Sequence, residues 1–192
     1  MSTIVVVQKG HTACIAADSL TSFGDQTLGA QYDCHSDKIQ KIHNSYFGIV
    51  GSAAHSLVVE SALKSAGTTA RLNSRADIFQ TLVKLHKTLK EDYFLNPSES
   101  EDDPYESIRF DAVLANAHGI FGIYSLREVY QYQRYWAIGA GADYALGAMH
   151  ALYDRLDSAE DIARAAIEAS AEFNNATALP MTVQTVAVLS RS

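Results

Sequence analysis

The sequence predicts an α+β protein in which layers of antiparallel sheet pack against layers of helix. Apolar runs with strand character cluster at residues 3–18, 38–50 and 110–138, while a helical spacing of 3–4 residues marks 52–94 and 142–173. The order is therefore strands, two helices, strands, two helices and a last strand. Such clustering favours antiparallel layers over the alternating units of a parallel sheet.

The length and composition suit one domain. The chain has 192 residues, of which 47% are hydrophobic and 19% are charged. A domain usually takes roughly 100–200 residues, and this share of apolar residues is ample for a buried core. We therefore expect a single domain over residues 1–192.

The N-terminal elements are expected to be a hairpin, a loop and a second strand pair. Two apolar runs flank a polar turn at residues 9–11, which is the pattern of a β-hairpin. Residues 19–35 are rich in Ser, Thr, Gly, Asp and Gln and predict a long loop. Strands at 38–43 and 46–50 follow, and Gly51 ends the second of them.

Two helices are predicted next, joined as a hairpin. The first runs from residue 52 to a stop at Gly67 and carries small or apolar side chains at helical spacing: Ala54, Leu57, Val58, Ser61, Ala62 and Ser65. The second covers 75–94 and has its own apolar set: Ile78, Leu82, Leu85, Leu89 and Tyr93.

The second half of the chain repeats the pattern. Strands are predicted at 110–116 and 120–125, followed by a third run that ends at Ile138. A helix follows the Gly-Ala-Gly segment at 139–141, with one apolar face: Ala142, Ala145, Leu146, Met149, Leu152, Tyr153 and Leu156.

The last helix begins at a capping box. Ser158 precedes Asp161 by three residues, the spacing of a reciprocal cap. Its expected inner face is Ile162, Ala165, Ala166, Ala169 and Phe173. A final strand is predicted at 181–189.

The charge balance excludes several classes of partner. Fifteen Lys and Arg residues oppose 22 Asp and Glu residues, which gives a formal charge of −7. Binding to nucleic acid or to an anionic membrane needs clustered basic residues, so neither is expected. Two cysteines are too few for a disulfide framework, and we expect a cytoplasmic protein because no signal or membrane segment is recognisable.

Metal and cofactor motifs are not found. The sequence has no His-Glu-x-x-His, Cys-x-x-Cys, Gly-x-Ser-x-Gly or phosphate-loop pattern, and its seven histidines have no ligand spacing. Five carboxylates fall between residues 99 and 106, but a solvated connector explains them better than a metal site. No cofactor is expected.

The N-terminus is the remaining candidate for chemistry. If Met1 is removed, Ser2 carries a free α-amine beside its own hydroxyl, so a nucleophile and a base lie in one residue. An α-amine has a pKa of about 7.7–8.0, and a neighbouring lysine ammonium would lower it. A carboxylate would hold that lysine, and the sequence offers Asp18 and Lys38 for these parts.

Four segments resemble N-terminal-nucleophile hydrolases of the proteasome type. They are Ser-Thr-Ile-Val-Val-Val at 2–7, Ile-Ala-Ala-Asp-Ser at 15–19, Asp-Lys-Ile-Gln-Lys-Ile at 37–42 and Gly-Ile-Val-Gly-Ser-Ala-Ala at 48–54. Residues 16–25 are most similar to the proteobacterial proteasome homologue, a branch beside the proteasome β subunit and the bacterial ATP-dependent peptidase. The resemblance extends over nearly the whole chain.

The resemblance implies a fold, a site and an assembly. The fold would be a four-layer αββα sandwich. Ser2 would be the nucleophile, because the family places it sixteen residues before its aspartate, Asp18 and Lys38 would activate it, and the Gly51 N–H would form the oxyanion hole. Asn174 and Thr177 match the family's Asp-x-x-Ser pair. Protein or peptide substrates, homo-oligomeric stacked rings and, by analogy, an ATPase activator would follow.

Three departures from the family pattern bear on the rate. Serine at position 2 lacks the methyl group that restrains the hydroxyl of threonine. Ala140 stands where the family often has a serine beside the terminal amine. Asn174 provides an amide where the family has a carboxylate, so it brings no negative charge to the amine.

Two other functions stay open. The same departures, or a retained Met1, fit an inactive ring-forming scaffold. A small-amide hydrolase with the same type of nucleophile would instead be a monomer or dimer with a closed pocket. Aromatic residues at six positions fit either subunit contacts or the core of the protein: Tyr32, Tyr105, Tyr130, Tyr132, Tyr135 and Trp136.

Overall fold

The computed structural model describes residues 2–51, 53–95, 105 and 110–190. Its strands are β1 (Thr3–Lys9), β2 (Thr12–Asp18), β3 (Thr21–Phe23), β4 (Gln26–Leu28), β5 (Ile39–Ile42), β6 (Ser45–Val50), β7 (Asp111–Asn116), β8 (Gly119–Tyr124), β9 (Glu128–Tyr132), β10 (Tyr135–Gly139) and β11 (Met181–Ala187). Its helices are α1 (Ala53–Ala66), α2 (Arg75–Glu91), α3 (Ala142–Leu152) and α4 (Ala159–Phe173).

The first sheet contains the N-terminal hairpin. Its order is β10-β1-β2-β11, and every neighbouring pair is antiparallel. Ile4 lies between Ala17 on β2 and Ile138 on β10. The N-terminal strand is therefore central, with hydrogen-bonded neighbours on both sides, which fixes its first residues.

The second sheet is a continuous antiparallel meander in the order β5-β6-β7-β8-β9. Two of its cross-strand pairs matter below: Val50 lies opposite Asp111, and Tyr124 lies opposite Glu128. A separate pair, β3 and β4, forms a two-stranded hairpin.

Three hydrophobic cores show that the layers stack as α-β-β-α. Val5 and Val7 of β1 pack with α3 and α4, in the cluster that includes Met149 and Ile162. Ile4 and Val6, which alternate with them, pack between the two sheets. The opposite face of the second sheet packs on α1 and α2, in a cluster that includes Phe47, Leu114, Ile78 and Leu89. The expected four-layer sandwich is confirmed.

Two helices begin at serine caps, and the cap of α4 was predicted from the sequence. The Ser158 hydroxyl accepts a hydrogen bond from the Asp161 N–H at 3.1 Å, as expected. Ser74 caps α2 in the same way through the Asp77 N–H. Among the helices of the described residues, none is long and apolar enough to cross a membrane.

Four expectations about the elements need correction. The loop at 19–35 contains β3 and β4. The third run of 110–138 is two strands, β9 and β10, which belong to different sheets. Leu57 of α1 is 70% exposed, and Phe173 at the end of α4 is 68% exposed, so neither faces inward.

The physical cause of these errors is ambiguity in the local pattern. Leu57 and Val59 lie on nearly opposite sides of α1, and the structure buries Val59, so the apolar spacing alone does not select a face. The acidic connector at 99–106 lies outside the described residues, apart from Tyr105.

Candidate active site

Asp18 is the centre of the polar site at the end of β2. Its side chain is buried and accepts four hydrogen bonds. Oδ1 accepts from the Thr3 N–H at 2.8 Å and from Lys38 Nζ at 2.8 Å. Oδ2 accepts from the Leu20 N–H at 3.0 Å and from the Ala178 N–H at 3.4 Å. Four donors fix the position of this carboxylate.

Lys38 immediately precedes β5 and points at Asp18. Its ammonium also donates to the Leu20 carbonyl at 2.6 Å, and only 12% of its side chain is exposed. Burial lowers the pKa of Lys38 below its ordinary value, and the negative charge of Asp18 opposes part of that shift. The Lys38 ammonium is therefore fixed in position and gives up its proton more readily than a surface lysine does.

The Thr3 hydroxyl lies on the other face of the strand, toward α3 and α4. It accepts from the Gly141 N–H at 2.9 Å and contacts Thr177 Oγ1 at 2.6 Å. Thr177 Oγ1 in turn donates to Asn174 Oδ1 at 3.2 Å. The amide oxygen of Asn174 only accepts hydrogen bonds, so the direction of the chain is fixed. The Gly141 N–H donates to Thr3, Thr3 donates to Thr177, and Thr177 donates to Asn174. The Thr3 hydroxyl is thus fully engaged in a structural chain.

Ser2 is held by its backbone beside these groups. Its carbonyl accepts from the Ala140 N–H at 2.8 Å, and the next residue is tied to Asp18. Strand alternation directs the Ser2 side chain to the face that carries Ile4. Ile4 packs over Gly48, where a Cβ would lie 2.9 Å from Ile4 Cδ1 and 3.5 Å from the Lys38 carbonyl. Ser2 therefore faces the side of the strand on which Lys38 lies.

Gly139 makes this close approach feasible. Its φ is +98°, and a Cβ there would lie 1.9 Å from the Ser2 carbonyl oxygen and 3.2 Å from Val50 Cγ1. Only glycine fits, because both the dihedral angle and the space exclude a side chain. The same contact brings the end of β6 next to Ser2.

Gly51 follows β6 directly. Its φ is +122°, it is exposed, and a Cβ would meet no atom within 4 Å. Glycine is therefore favoured here by backbone conformation rather than by crowding. An exposed main-chain segment beside Ser2 is suited to binding a substrate backbone.

Asn174 is bonded to the backbone of Ala140, the residue that also contacts Ser2. Its Nδ2 donates to the Ala140 carbonyl at 3.0 Å, and its Oδ1 accepts from the Ala176 N–H at 2.9 Å. A backbone acceptor and a backbone donor fix the orientation of the amide. The N–H of the same residue, in the preceding peptide group, donates to the Ser2 carbonyl, so Asn174 and Ser2 both contact the Ala140 backbone.

The structure places four of the residues that the sequence singled out in two clusters. Asp18 and Lys38 form one cluster; Asn174 and Thr177 form a second, which contacts Thr3 and Ala140 rather than the first cluster. The catalytic parts assigned to these residues, to Ser2 and to Gly51 stay predictions.

Sequence reasoning missed the parts played by Thr3 and Gly139. Thr3 is bonded to a residue 174 positions away, and no local pattern reports such a contact. For Gly139, the Gly-Ala-Gly segment before a helix was a signal of a close approach.

One group of described residues could hold a metal ion. The ligand atoms of Asp33, Cys34 and His35 lie within 4.8 Å of one another. They are consecutive and largely exposed, and the Cys34 thiol and His35 Nδ1 already contact each other at 3.1 Å. The sequence motifs for metal sites did not reveal this group, because they require ligands at a fixed spacing and these three residues are consecutive.

Comparison with known proteins gives matches over almost the whole chain. A family model described as proteasome subunit matches residues 1–186. The ATP-dependent protease subunit HslV of Caldicellulosiruptor saccharolyticus is 28% identical over 191 residues, which covers 94% of this chain and 98% of that protein.

Solved structures agree with this. The BPH protein of Thiobacillus denitrificans is 37% identical with a TM-score of 0.89, and its complex with epoxomicin is 35% identical with the same TM-score. Both matches cover 98% of this chain and 100% of theirs. HslV from Trypanosoma brucei, at 20% identity and a TM-score of 0.68, covers 96% of this chain and 99% of its own, and shows the fold alone.

Proposed function

The chain belongs to the proteasome subunit family, whose members include peptidase subunits of compartmentalised proteases, and from that premise we propose that it hydrolyses peptide bonds with Ser2 as an N-terminal nucleophile. Removal of Met1 would expose the α-amine of Ser2. The substrate would be a protein or peptide, and no cofactor is needed for this chemistry.

The reaction would proceed through an acyl-enzyme. The neutral α-amine accepts the proton of the Ser2 hydroxyl as its oxygen attacks the scissile carbonyl. The Gly51 N–H would stabilise the oxyanion, a contribution of about 3–4 kcal/mol in similar chemistry. The amine then protonates the leaving amino group, and water, activated by the same amine, hydrolyses the ester.

The Lys38 ammonium would assist in two ways. Its charge lowers the pKa of the α-amine, so a larger fraction of the amine is a neutral base. It also stabilises the developing alkoxide on Ser2. Asp18 keeps the ammonium in place through the 2.8 Å contact.

The observation that carries the proposal is that the neighbouring residues Ser2 and Thr3 direct their hydroxyls to opposite faces of the strand. Thr3 is completely buried and its hydroxyl is bonded to Gly141 and Thr177. Ser2 is on the opposite face of the strand, on the side of Lys38. Of these two hydroxyl residues, Ser2 is the one that remains available for chemistry.

Several features would make the enzyme slow. The hydroxyl of Ser2 lacks the rotamer restraint of threonine. Ala140 offers only its peptide, and Asn174 gives no negative charge to the amine. These residues position Ser2 but add no proton relay.

Assembly and inhibitor binding are proposed from the relatives. Ring assembly is typical of this family, and we expect homo-oligomeric stacked rings. The HslV relative is named as an ATP-dependent protease subunit, so an ATPase activator is compatible with this chain. Because BPH of Thiobacillus denitrificans is solved with epoxomicin, we expect an epoxyketone to react with Ser2.

A second candidate is a ring-forming scaffold without activity. Ala140 and Asn174, where catalytic relatives place a hydroxyl and a carboxylate, favour it. The scaffold needs no free Ser2 amine, so a Met1 retained in the native host would support it.

A direct comparison of three proteins tests the proposal. One begins at Ser2 by cleavage of a fusion partner, one carries Ser2→Ala, and one retains Met1. Only the first should hydrolyse fluorogenic peptides. Equal hydrolysis by all three would contradict Ser2 as nucleophile, and inactivity of the first would favour the scaffold.

A further inference from the structure

A cavity of about 780 Å³ opens between the two sheets beside Ser2. Its walls come from the start of β7, from β8 to β10, and from the first turns of α3. Gly139 lies at one end of it, and this glycine is the one whose Cβ would collide with the Ser2 carbonyl. Asp111 lines the cavity as well and lies directly across the sheet from Val50, the residue before Gly51. The cavity therefore begins next to the proposed reaction centre.

The walls are aromatic and preformed. The rings of Tyr132 and Trp136 stack with centroids 5.3 Å apart, and those of Tyr124 and Tyr130 meet edge to face at 5.8 Å. The hydroxyls of Tyr124 and Tyr132 lie 2.7 Å apart. Gly122 is required beneath this cluster, since a Cβ there would lie 2.2 Å from the Tyr132 hydroxyl. The rings are thus held in place before any ligand arrives.

Three carboxylates accompany these rings: Asp111, Glu128 and Asp143. None of the described residues that line the cavity is a lysine or an arginine. Two arginines adjoin this part of the sheet, but Arg75 donates to the Val129 carbonyl and Arg127 stacks on Tyr105 at 4.3 Å. Among the residues that the structure describes, neither of these arginines lines the cavity.

The carboxylate of Asp111 is destabilised by its position in the cavity. It lies at the start of β7, on the face that carries Val113 toward the inter-sheet core. Burial raises the pKa of Asp111, so its charged form is disfavoured by loss of water. A cation placed in the cavity would reverse that penalty.

We propose that this cavity is a subsite for a positively charged side chain, lysine or arginine, of a substrate residue near the scissile bond. The faces of aromatic rings attract such cations, and carboxylates pair with them. A planar guanidinium also stacks on Tyr and Trp rings, so arginine should bind better than lysine. The assignment to substrate rests on the proposed peptidase function, while binding of the cation does not.

Fluorescence of Trp136 tests the binding step without catalysis. Trp136 is the only tryptophan of the chain and lines the cavity. N-acetyl-arginine amide should change its emission saturably, with an affinity at least about fivefold higher than that of N-acetyl-citrulline amide, a neutral compound of nearly the same shape.

Substitutions test whether the carboxylates of the cavity cause the preference for arginine. Asp111→Asn combined with Glu128→Gln should remove the preference for arginine over citrulline, whereas Glu168→Gln on the exposed side of α4 should keep it. If the double variant does not fold, Glu128→Gln alone, at an exposed position of an edge strand, should still weaken arginine binding. Equal affinity for both compounds, or a preference that survives these changes, overturns the proposal.

A peptide series separates this subsite from the peptidase itself. The peptides carry arginine, citrulline or norleucine at each position on either side of the bond cleaved. We expect one position to favour arginine, and the preference to vanish in the Asp111 and Glu128 variants. Hydrolysis without such a preference overturns the subsite alone. If no peptide is cleaved, the proposed function fails, and the fluorescence result still decides whether the cavity binds cations.

Discussion

Lys38 holds a positive charge in a place where burial opposes it. Its ammonium donates to Asp18 and to the Leu20 carbonyl, and little of the side chain reaches water. Removal of its proton is therefore easier than for a surface lysine, and burial is the cause. The proposed mechanism needs this group charged and the Ser2 amine neutral.

These two requirements predict a bell-shaped pH profile. The rate rises as the α-amine loses its proton, near or below its usual pKa of about 7.7–8.0. It falls at higher pH as Lys38 loses its proton, and this limb should lie below the range of an ordinary lysine. The rate of Ser2 labelling by an epoxyketone, measured from pH 6 to about 11, gives both limbs.

Lys38→Arg separates the two limbs. A guanidinium stays charged throughout this range, so the high-pH fall should disappear even if the rate is lower. A falling limb at unchanged pH in this variant would show that Lys38 is not its cause.

Asp18 is predicted to matter for stability as well as for chemistry. In Asp18→Asn the amide places a donor against backbone N–H groups or against Lys38, and the buried ammonium loses its partner. Breaking a buried pair in this way costs about 3–5 kcal/mol. Urea unfolding of the variant should show this loss, while Asp154→Asn, in an exposed pair with Arg134, should leave the midpoint unchanged. Equal effects of the two changes would contradict the part given to Asp18.

Strand β1 positions the site because it is central in its sheet. Its neighbours β2 and β10 bring Asp18 and Gly139 to the two sides of the first residues. The approach of β10 depends on the absence of a side chain at Gly139.

Gly139→Ala should therefore displace Ser2. The added Cβ would meet the Ser2 carbonyl at 1.9 Å, and φ of +98° strains alanine as well. We expect loss of labelling at Ser2 together with a lower unfolding midpoint. Gly147→Ala is the matched control, since its Cβ meets nothing within 4 Å and alanine should stabilise α3 by about 0.5–1 kcal/mol. Unimpaired labelling in Gly139→Ala would refute the contact.

Local sequence patterns were sufficient to predict most helices and strands. They did not predict where the chain passes from one sheet to the other. The N-terminal hairpin was predictable because apolar runs flank a glycine turn, and Ser158 announced its helix by the capping spacing. The passage from β9 to β10 was not, because the turn at residues 133–134 has neither glycine nor proline and both strands are similar in composition.

In the candidate site, too, some contacts were predictable from the sequence and others were not. Asp18 and Lys38 were predictable as a pair from family spacing, and the structure joins them at 2.8 Å. The partners of Asn174 and Thr177 were not, since both depend on contacts with residues far away in sequence. The aromatic cavity also arises only when two sheets and α3 come together.

The molecule presents apolar side chains on both helix layers. Leu57 and Phe79 project from α1 and α2, and Tyr144 and Phe173 form a ring pair 5.8 Å apart on α3 and α4. Exposed apolar groups of this kind mark contact surfaces. They are compatible with the stacked rings that the family predicts.

Assembly is predicted to be visible by light scattering. We expect a homo-oligomer whose mass is many times the 20.9 kDa of one chain. Leu57→Asp should lower that mass, because it places a charge at an exposed apolar position of α1 that is suited to a subunit contact. A monomer or dimer would instead support the small-amide hydrolase.

Mass spectrometry of the N-terminal peptide shows whether Ser2 is the nucleophile. The protein, verified to begin at Ser2, is incubated with an epoxyketone such as epoxomicin and then digested. We expect a covalent adduct on Ser2 and none on Ser2→Ala. An unmodified Ser2 in a folded, assembled protein with a free N-terminus would contradict this expectation.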